Sequence, residues 1–156
     1  MSRRPALPKV AADLYEGIKD IPIVSPHGHC DPSWFSEDAP FPDPATLLVT
    51  PDHYVFRMLY SQGVALEDLG IGVPQEKRDA RAIFKLFASH WHLFLGTPSR
   101  AWLEYTLTET LGIETELGAD TADAIFDQIS EKLTLDVFRP RAAMDAFFFN
   151  DTATTE

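Results

Sequence analysis

The sequence predicts a mixed α/β chain that is mostly helical, on three observations. One short run rich in β-branched residues, Ile21-Pro22-Ile23-Val24-Ser25, stands between a helical stripe and a proline-rich stretch. From Thr50 onward, apolar residues recur at three- and four-residue spacing through most of the chain. No repeat or low-complexity tract interrupts them.

At 156 residues with 45% hydrophobic content, the chain is long enough for one domain with a sizeable core. No apolar segment approaches the roughly 18 to 20 residues that span a bilayer, and Met1-Ser2-Arg3-Arg4-Pro5 is not followed by the apolar core of a secretory signal. The expectation is a cytoplasmic protein with no membrane partner. A formal charge of −11 argues against nucleic acid as a partner, because phosphate binding needs clustered Lys and Arg. The single cysteine, Cys30, excludes an intramolecular disulfide and reads as structural filler.

Taken in order, Val10, Ala11, Leu14, Tyr15 and Ile18 predict a first amphipathic helix over Lys9 to Lys19, opened by Pro8. Ile21 to Ser25 is the strand. Pro32, Pro40, Pro42 and Pro44 then predict an ordered loop. Thr50-Pro51-Asp52 predicts a helix start, with Thr50 as N-cap, running to about Gln62 with Gly63 at C′. Ile83, Phe84, Phe87, Trp91, Phe94 and Leu95 predict one long helix over 78–95, broken by Gly96 and Pro98. A further helix is expected around Trp102, Leu103, Leu107 and Leu111. Asp120 is expected to cap another, bearing Ala122, Ile125, Phe126, Ile129 and Leu133, and Pro140 to open a short helix through Met144. Asp120, Asp123, Asp127, Glu131 and Asp136 read as a cap plus a solvated face, and His90 and His92 as residues of a packed region.

Chemistry concentrates at the end of the strand, in Ser25-Pro26-His27-Gly28-His29-Cys30-Asp31-Pro32. Alternation along a strand points positions 27 and 29 the same way, so His27 and His29 can offer two imidazoles to one divalent cation. Strand C-termini are also where parallel α/β architectures collect their chemistry. Taken alone, a His-x-His pair is also met as ordinary loop residues. A catalytic zinc takes three protein ligands, and no third stands out in the rest of the chain. One strand followed by helices leaves both strand edges unpaired, so the chain is expected to be part of a larger fold.

A second segment, Pro51-Asp52-His53-Tyr54-Val55-Phe56-Arg57-Met58-Leu59-Tyr60-Ser61-Gln62-Gly63-Val64, is the more specific one. Together with the His-Gly-His segment it resembles the uronate isomerases, also called glucuronate isomerases, of the amidohydrolase superfamily. The resemblance extends from about Leu14 to Met144 and includes Phe138-Arg139-Pro140-Arg141. It implies the N-terminal fragment of a distorted (β/α)₈ TIM barrel. Residues 1–35 would hold the N-terminal helix and the first barrel strand, and residues 36–147 a largely helical insertion. It also implies interconversion of D-glucuronate with D-fructuronate and of D-galacturonate with D-tagaturonate, by proton transfer through a cis-enediol. In that frame His27 and His29 are metal ligands for zinc or a similar divalent cation, and His53, Tyr54 and Arg57 contact a small-molecule hexuronate. Tyr54 exchanges a proton with a sugar oxygen. The isolated chain is expected to be inactive, because further ligands would lie in later strands, and the full-length protein could form a homo-oligomer.

The end departs from the family: Phe147-Phe148-Phe149-Asn150-Asp151-Thr152-Ala153-Thr154-Thr155-Glu156 stands where the next strand is expected, and residues 148–156 read as a non-native tail, although Thr154-Thr155-Glu156 is similar to the Thr-Thr-Asp that ends the next family strand, with preceding residues that do not fit it. Two other functions compete. One is a metal-dependent amidohydrolase acting through activated water; the other is a non-catalytic helical module presenting Trp91 and Trp102 to a partner.

Overall fold

The computed structural model describes residues 8–21, 23–28, 30–146 and 149–154. In chain order its helices are α1 (Lys9–Glu16), α2 (Pro32–Glu37), α3 (Pro44–Leu48), α4 (His53–Tyr60), α5 (Ala80–Ser89), α6 (Pro98–Tyr105), α7 (Ala122–Leu133) and α8 (Pro140–Ala146). The strands are β1 (Ile23–Gly28) and β2 (Phe149–Thr154). The chain divides into two units, one of residues 1–38 with 140–156 and one of residues 39–139. Among the described residues, no helix is long and apolar enough to cross a membrane.

In the first unit, α1 forms where the stripe predicts it, but Val10, Leu14, Tyr15 and the following Ile18 and Ile21 are all exposed and the helix buries no residue. The strand begins two residues later than expected, at Ile23. The proline-rich stretch is not simply a loop: Pro32 and Pro44 each occupy a first helical turn, and the preceding Asp31 and Asp43 are the N-caps. Asp31 accepts from the Ser33 N–H at 2.9 Å, and Asp43 from the Thr46 N–H at 2.7 Å. Prolines read as loop punctuation are here helix starters, because a missing N–H costs nothing at that position. At its other end α2 stops on Asp38, whose φ of 51° is left-handed. Arg141 of α8 closes this end, donating to the carbonyls of Phe35 (2.6 Å) and Ser36 (3.1 Å), while its own N–H donates to the Asp38 carboxylate at 3.0 Å. These bonds satisfy carbonyls that a helix C-terminus leaves without intrahelical partners.

Residues 149–154, set aside above as tail, form β2 and pair in parallel with β1. The register shifts twice within six residues, matching Ile23 with Phe149 but Val24 with Asp151, and Gly28 with Thr154.

The second unit carries the hydrophobic core, running from Ala45 to Leu133. The stripe of α5 buries Ile83, Phe84, Phe87 and Ala88, and that of α7 buries Ala122, Ile125, Phe126, Ile129 and Leu133. Phe84 meets Phe126 edge-on at 5.7 Å, and Phe87 meets Phe94 at 5.7 Å and Trp91 at 5.5 Å, the geometry that aromatic quadrupoles favour. The expected long helix ends at Ser89, where a 3₁₀ turn over Trp91–Phe94 takes over. A ring nitrogen of His90 lies 2.8 Å from the Leu86 carbonyl, and Leu95, placed on the apolar face by the spacing, is exposed.

Pro98 does not end a helix but begins α6, capped by Thr97, whose hydroxyl accepts from the Arg100 N–H at 3.1 Å. A π-helical turn over Thr106–Thr110 follows, and Trp102 is exposed while Leu103, Leu107 and Leu111 are buried. Asp120 is not the cap of α7. That position is Thr121, whose hydroxyl instead accepts from the Gly118 N–H at 3.0 Å and donates to the Glu116 carbonyl at 2.8 Å. The acidic face of α7 is more than solvated: Asp123 binds Lys85 at 2.7 Å and Arg81 at 3.5 Å, and Asp127 also binds Arg81, which lies over the Phe126 ring. These charges lace α7 to α5.

Candidate functional site

The helix that carries the specific motif is held from beneath. Val55 and Leu59 of α4 are fully buried, one turn apart, and anchor it in the core of the second unit. Its N-cap is Asp52 rather than Thr50: Asp52 is extended, with φ −91° and ψ 105°, and its carboxylate accepts from the Tyr54 N–H at 2.8 Å. Thr50 is used elsewhere, its hydroxyl donating to the Leu69 carbonyl at 3.0 Å. Gly70, next to that carbonyl, has φ 79°, and a Cβ there would come within 3.0 Å of Ile83 and 3.3 Å of the Thr50 hydroxyl. The close approach and the left-handed backbone both call for glycine, and both brace the segment that leads into α4.

On this footing His53 and Tyr54 open the helix side by side. Their rings stand 4.1 Å apart at 35°, with Tyr54 52% exposed and His53 half-buried. Arg57 follows one turn later and is exposed. The helix ends at Tyr60, two residues short of Gln62, and Gly63 follows with φ 91° as the left-handed residue. Thus three of the predicted residues, His53, Tyr54 and Arg57, lie in the first two turns of one anchored helix. The pair presents an imidazole and a phenol together, groups that can donate or accept a proton at a sugar oxygen.

The other two predicted residues belong to the first unit. His27 lies in β1, of which the backbone alone is described, and His29 lies outside the described residues. Among the described residues no group of three or more His, Cys, Asp or Glu could hold a metal ion. Just beyond the strand, burial pushes the Cys30 thiol up, which keeps it protonated and a poor nucleophile at neutral pH. Asp31 is held below the usual carboxylate range, chiefly by the backbone N–H of Ser33.

A cavity of about 160 Å³ lies beside Asp52, lined by Leu47, Leu48, Ser99, Trp102, Leu103 and Thr106. His53, Tyr54 and Arg57 do not line it. The spacing names Thr50 as the cap, but it is Asp52 that fixes the Tyr54 amide, and an Asp immediately before the apolar-periodic residues is the signal for it.

The family model for glucuronate isomerase matches residues 6–156. The chain belongs to the glucuronate isomerase family. A uronate isomerase of Mesorhizobium japonicum is 54% identical over 151 residues, covering 94% of this chain and 32% of the relative. One of Rhizorhabdus wittichii is also 54% identical, over 147 residues. The crystal structure of glucuronate isomerase from Caulobacter crescentus superposes with a TM-score of 0.86 at 48% identity, covering 97% of this chain and 33% of that one. Uronate isomerase from Thermotoga maritima gives a TM-score of 0.81 at 25% identity, covering 96% of this chain and 32% of that one. The chain therefore spans about a third of the length of the relatives it matches.

Proposed function

We propose that this chain is the N-terminal part of a uronate isomerase that interconverts D-glucuronate with D-fructuronate and D-galacturonate with D-tagaturonate. The observation that carries this reading is the family match over residues 6–156, together with the anchored His53–Tyr54 pair. The reaction moves a proton from C2 to C1: C2–H is lost to a base as O1 takes a proton, giving the cis-enediol, and C1 then takes a proton while the O2 proton departs. Tyr54 exchanges a proton with a sugar oxygen during this shift. His53 binds the neighbouring oxygen, and Arg57 meets the substrate carboxylate or orients His53.

His27 and His29 are the residues that would hold a divalent cation, with zinc the leading candidate. Their two imidazoles suit such an ion as part of a donor set. When bound, that ion supplies positive charge against substrate oxygens. In this reading β1 is the first strand of a distorted (β/α)₈ barrel and residues 36–147 are a helical insertion. Residues 148–156 are taken as a non-native tail from their sequence alone; the family match through residue 156 and the parallel pairing of residues 149–154 with β1 weigh on the other side. The protein is taken to work in the cytoplasm.

The test is a joined protein in which this chain replaces the matching third of the Mesorhizobium japonicum relative, incubated with D-glucuronate and assayed for ketose. Turnover is expected in the joined protein and none in the 156-residue chain alone. No turnover by a folded joined protein contradicts the isomerase reading, and hydrolysis of amides or esters without ketose formation favours the amidohydrolase.

A further inference from the structure

The cavity beside Asp52 lies wholly within the second unit, and the chemistry assigned to His53, Tyr54 and Arg57 does not use it. Leu47, Leu48 and Leu103 supply its apolar wall. Trp102 also lines it, 64% exposed, with an indole that meets no other ring and no cation among the described residues. At about 160 Å³ the cavity matches the roughly 150 Å³ of an engineered apolar cavity that holds benzene, so an occupant about one ring in size fits.

The charge at the cavity has one sign. Asp52 is the single charged residue of the lining, and among the described residues it forms no ion pair. Its Oδ1 accepts from the Tyr54 N–H at 2.8 Å, which leaves Oδ2 to accept from an occupant. The hydroxyls of Ser99 and Thr106 are further acceptors. Arg100, next to Ser99, brings no positive charge to the lining: it pairs with Glu104 at 2.6 Å, and its guanidinium lies over the Trp91 ring at 4.0 Å. The two helices that begin here, α4 and α6, are already capped by Asp52 and Thr97, which occupies part of the donor set that would draw an anion. A hexuronate would bring its carboxylate against Asp52 with no compensating charge.

We propose that this cavity is a binding site for a small organic ammonium ion, its charged head on the Asp52 carboxylate and the Trp102 indole and its apolar body against Leu47, Leu48 and Leu103. A carboxylate and an indole face both attract a cation and both repel an anion, while the leucines reward an apolar body. The proposal goes beyond the isomerase reading and does not depend on it.

The test is a titration with three ligands of one shape and different charge, benzylammonium, benzyl alcohol and benzoate, followed by NMR of protein labelled with [15N]tryptophan. It is run on the 156-residue chain and on the joined protein, in about 150 mM NaCl to screen diffuse attraction to a chain of formal charge −11. The chain has three tryptophans, and Trp102→Phe assigns the relevant indole signal. Benzylammonium is expected to move that signal and to bind at least about tenfold more tightly than benzyl alcohol, with benzoate weaker still. Asp52→Asn keeps an oxygen for the helix cap but removes the charge, so it should abolish the preference while the Trp34 and Trp91 signals stay in place. If that variant does not fold, Trp102→Ala at its exposed position is read by ligand-observed NMR, and unchanged benzylammonium affinity overturns the proposal. Equal binding of the ammonium and the alcohol also overturns it, in favour of an apolar niche for any small additive. Tighter binding of benzoate, or of neutral methyl glucoside, overturns it in favour of an anion or sugar site. So does binding by the chain that vanishes in the joined protein, or a Trp102 signal that benzylammonium leaves unmoved in both.

Discussion

The two units answer the same hydrophobic pattern in opposite ways. In the second, the stripes of α5 and α7 close on each other, and Phe84, Phe87, Ile125 and Ile129 are at most 1% exposed. In the first, α1 carries an equally regular stripe and buries nothing. Periodicity says that a face is apolar; it does not say whether the chain in hand contains its partner. For α5 and α7 the partner is present, since each buries its stripe in the same core.

This contrast can be broken by substitution. The largest effect belongs to the second unit's core, where Phe87→Ala removes a ring that touches Phe84, Trp91 and Phe94 and is expected to cost about 3–5 kcal/mol in urea unfolding. A loss below about 1 kcal/mol would show that this core is not the cooperative centre. Next comes Asp52→Ala, expected to cost about 1 kcal/mol through the lost N-cap, with Asp52→Ser restoring most of it. In an active joined protein the same change should lower kcat more than it changes overall fold stability, because it frees the Tyr54 amide.

A smaller effect follows pH. The Lys85 ammonium, and after it Arg81, hold the Asp123 carboxyl below its ordinary range. A lowered folded value means that the contribution is fully present above the unfolded pKa and is lost as pH falls through the folded one. Asp123→Asn should therefore lower stability at neutral and alkaline pH, leave it unchanged once pH falls below the folded value, and so flatten the acid limb; an unchanged acid limb would count against the α5–α7 lacing. The smallest effect is expected in the first unit, where Leu14→Glu should leave the isolated chain's melting within about 0.5 kcal/mol of the parent, as for exposed sites generally. Deleting residues 148–156 should be equally silent if they are a non-native tail, and a clear loss of stability would make β2 a native strand.

Much of this was legible beforehand, and the misses share a cause. The stripes of α1, α5 and α7 and the presence of α4 were readable, because burial imposes a period that survives in sequence. The starts of α2, α3 and α6 were not, because proline is both a breaker and a first-turn residue, and only the Asp or Thr before it tells which. Leu95 is placed on the apolar face by the spacing, yet 67% of its surface is exposed, since a stripe's edges depend on what packs there. Of the candidate site, His53, Tyr54 and Arg57 were found through a motif. The bracing by Asp52, Thr50, Leu69 and Gly70 was not, because it joins residues nearly 20 positions apart.

Hydrogen exchange followed by mass spectrometry, on the 156-residue chain and on the joined protein, tests the account most directly. In the chain alone, residues 80–133 should exchange slowly and residues 9–28 quickly; on joining, residues 9–28 should become protected to a comparable degree. Residues 9–28 already slow in the isolated chain, or still fast in a folded joined protein, would contradict a self-sufficient helical core linked to an N-terminal segment that the remaining two thirds of a uronate isomerase complete.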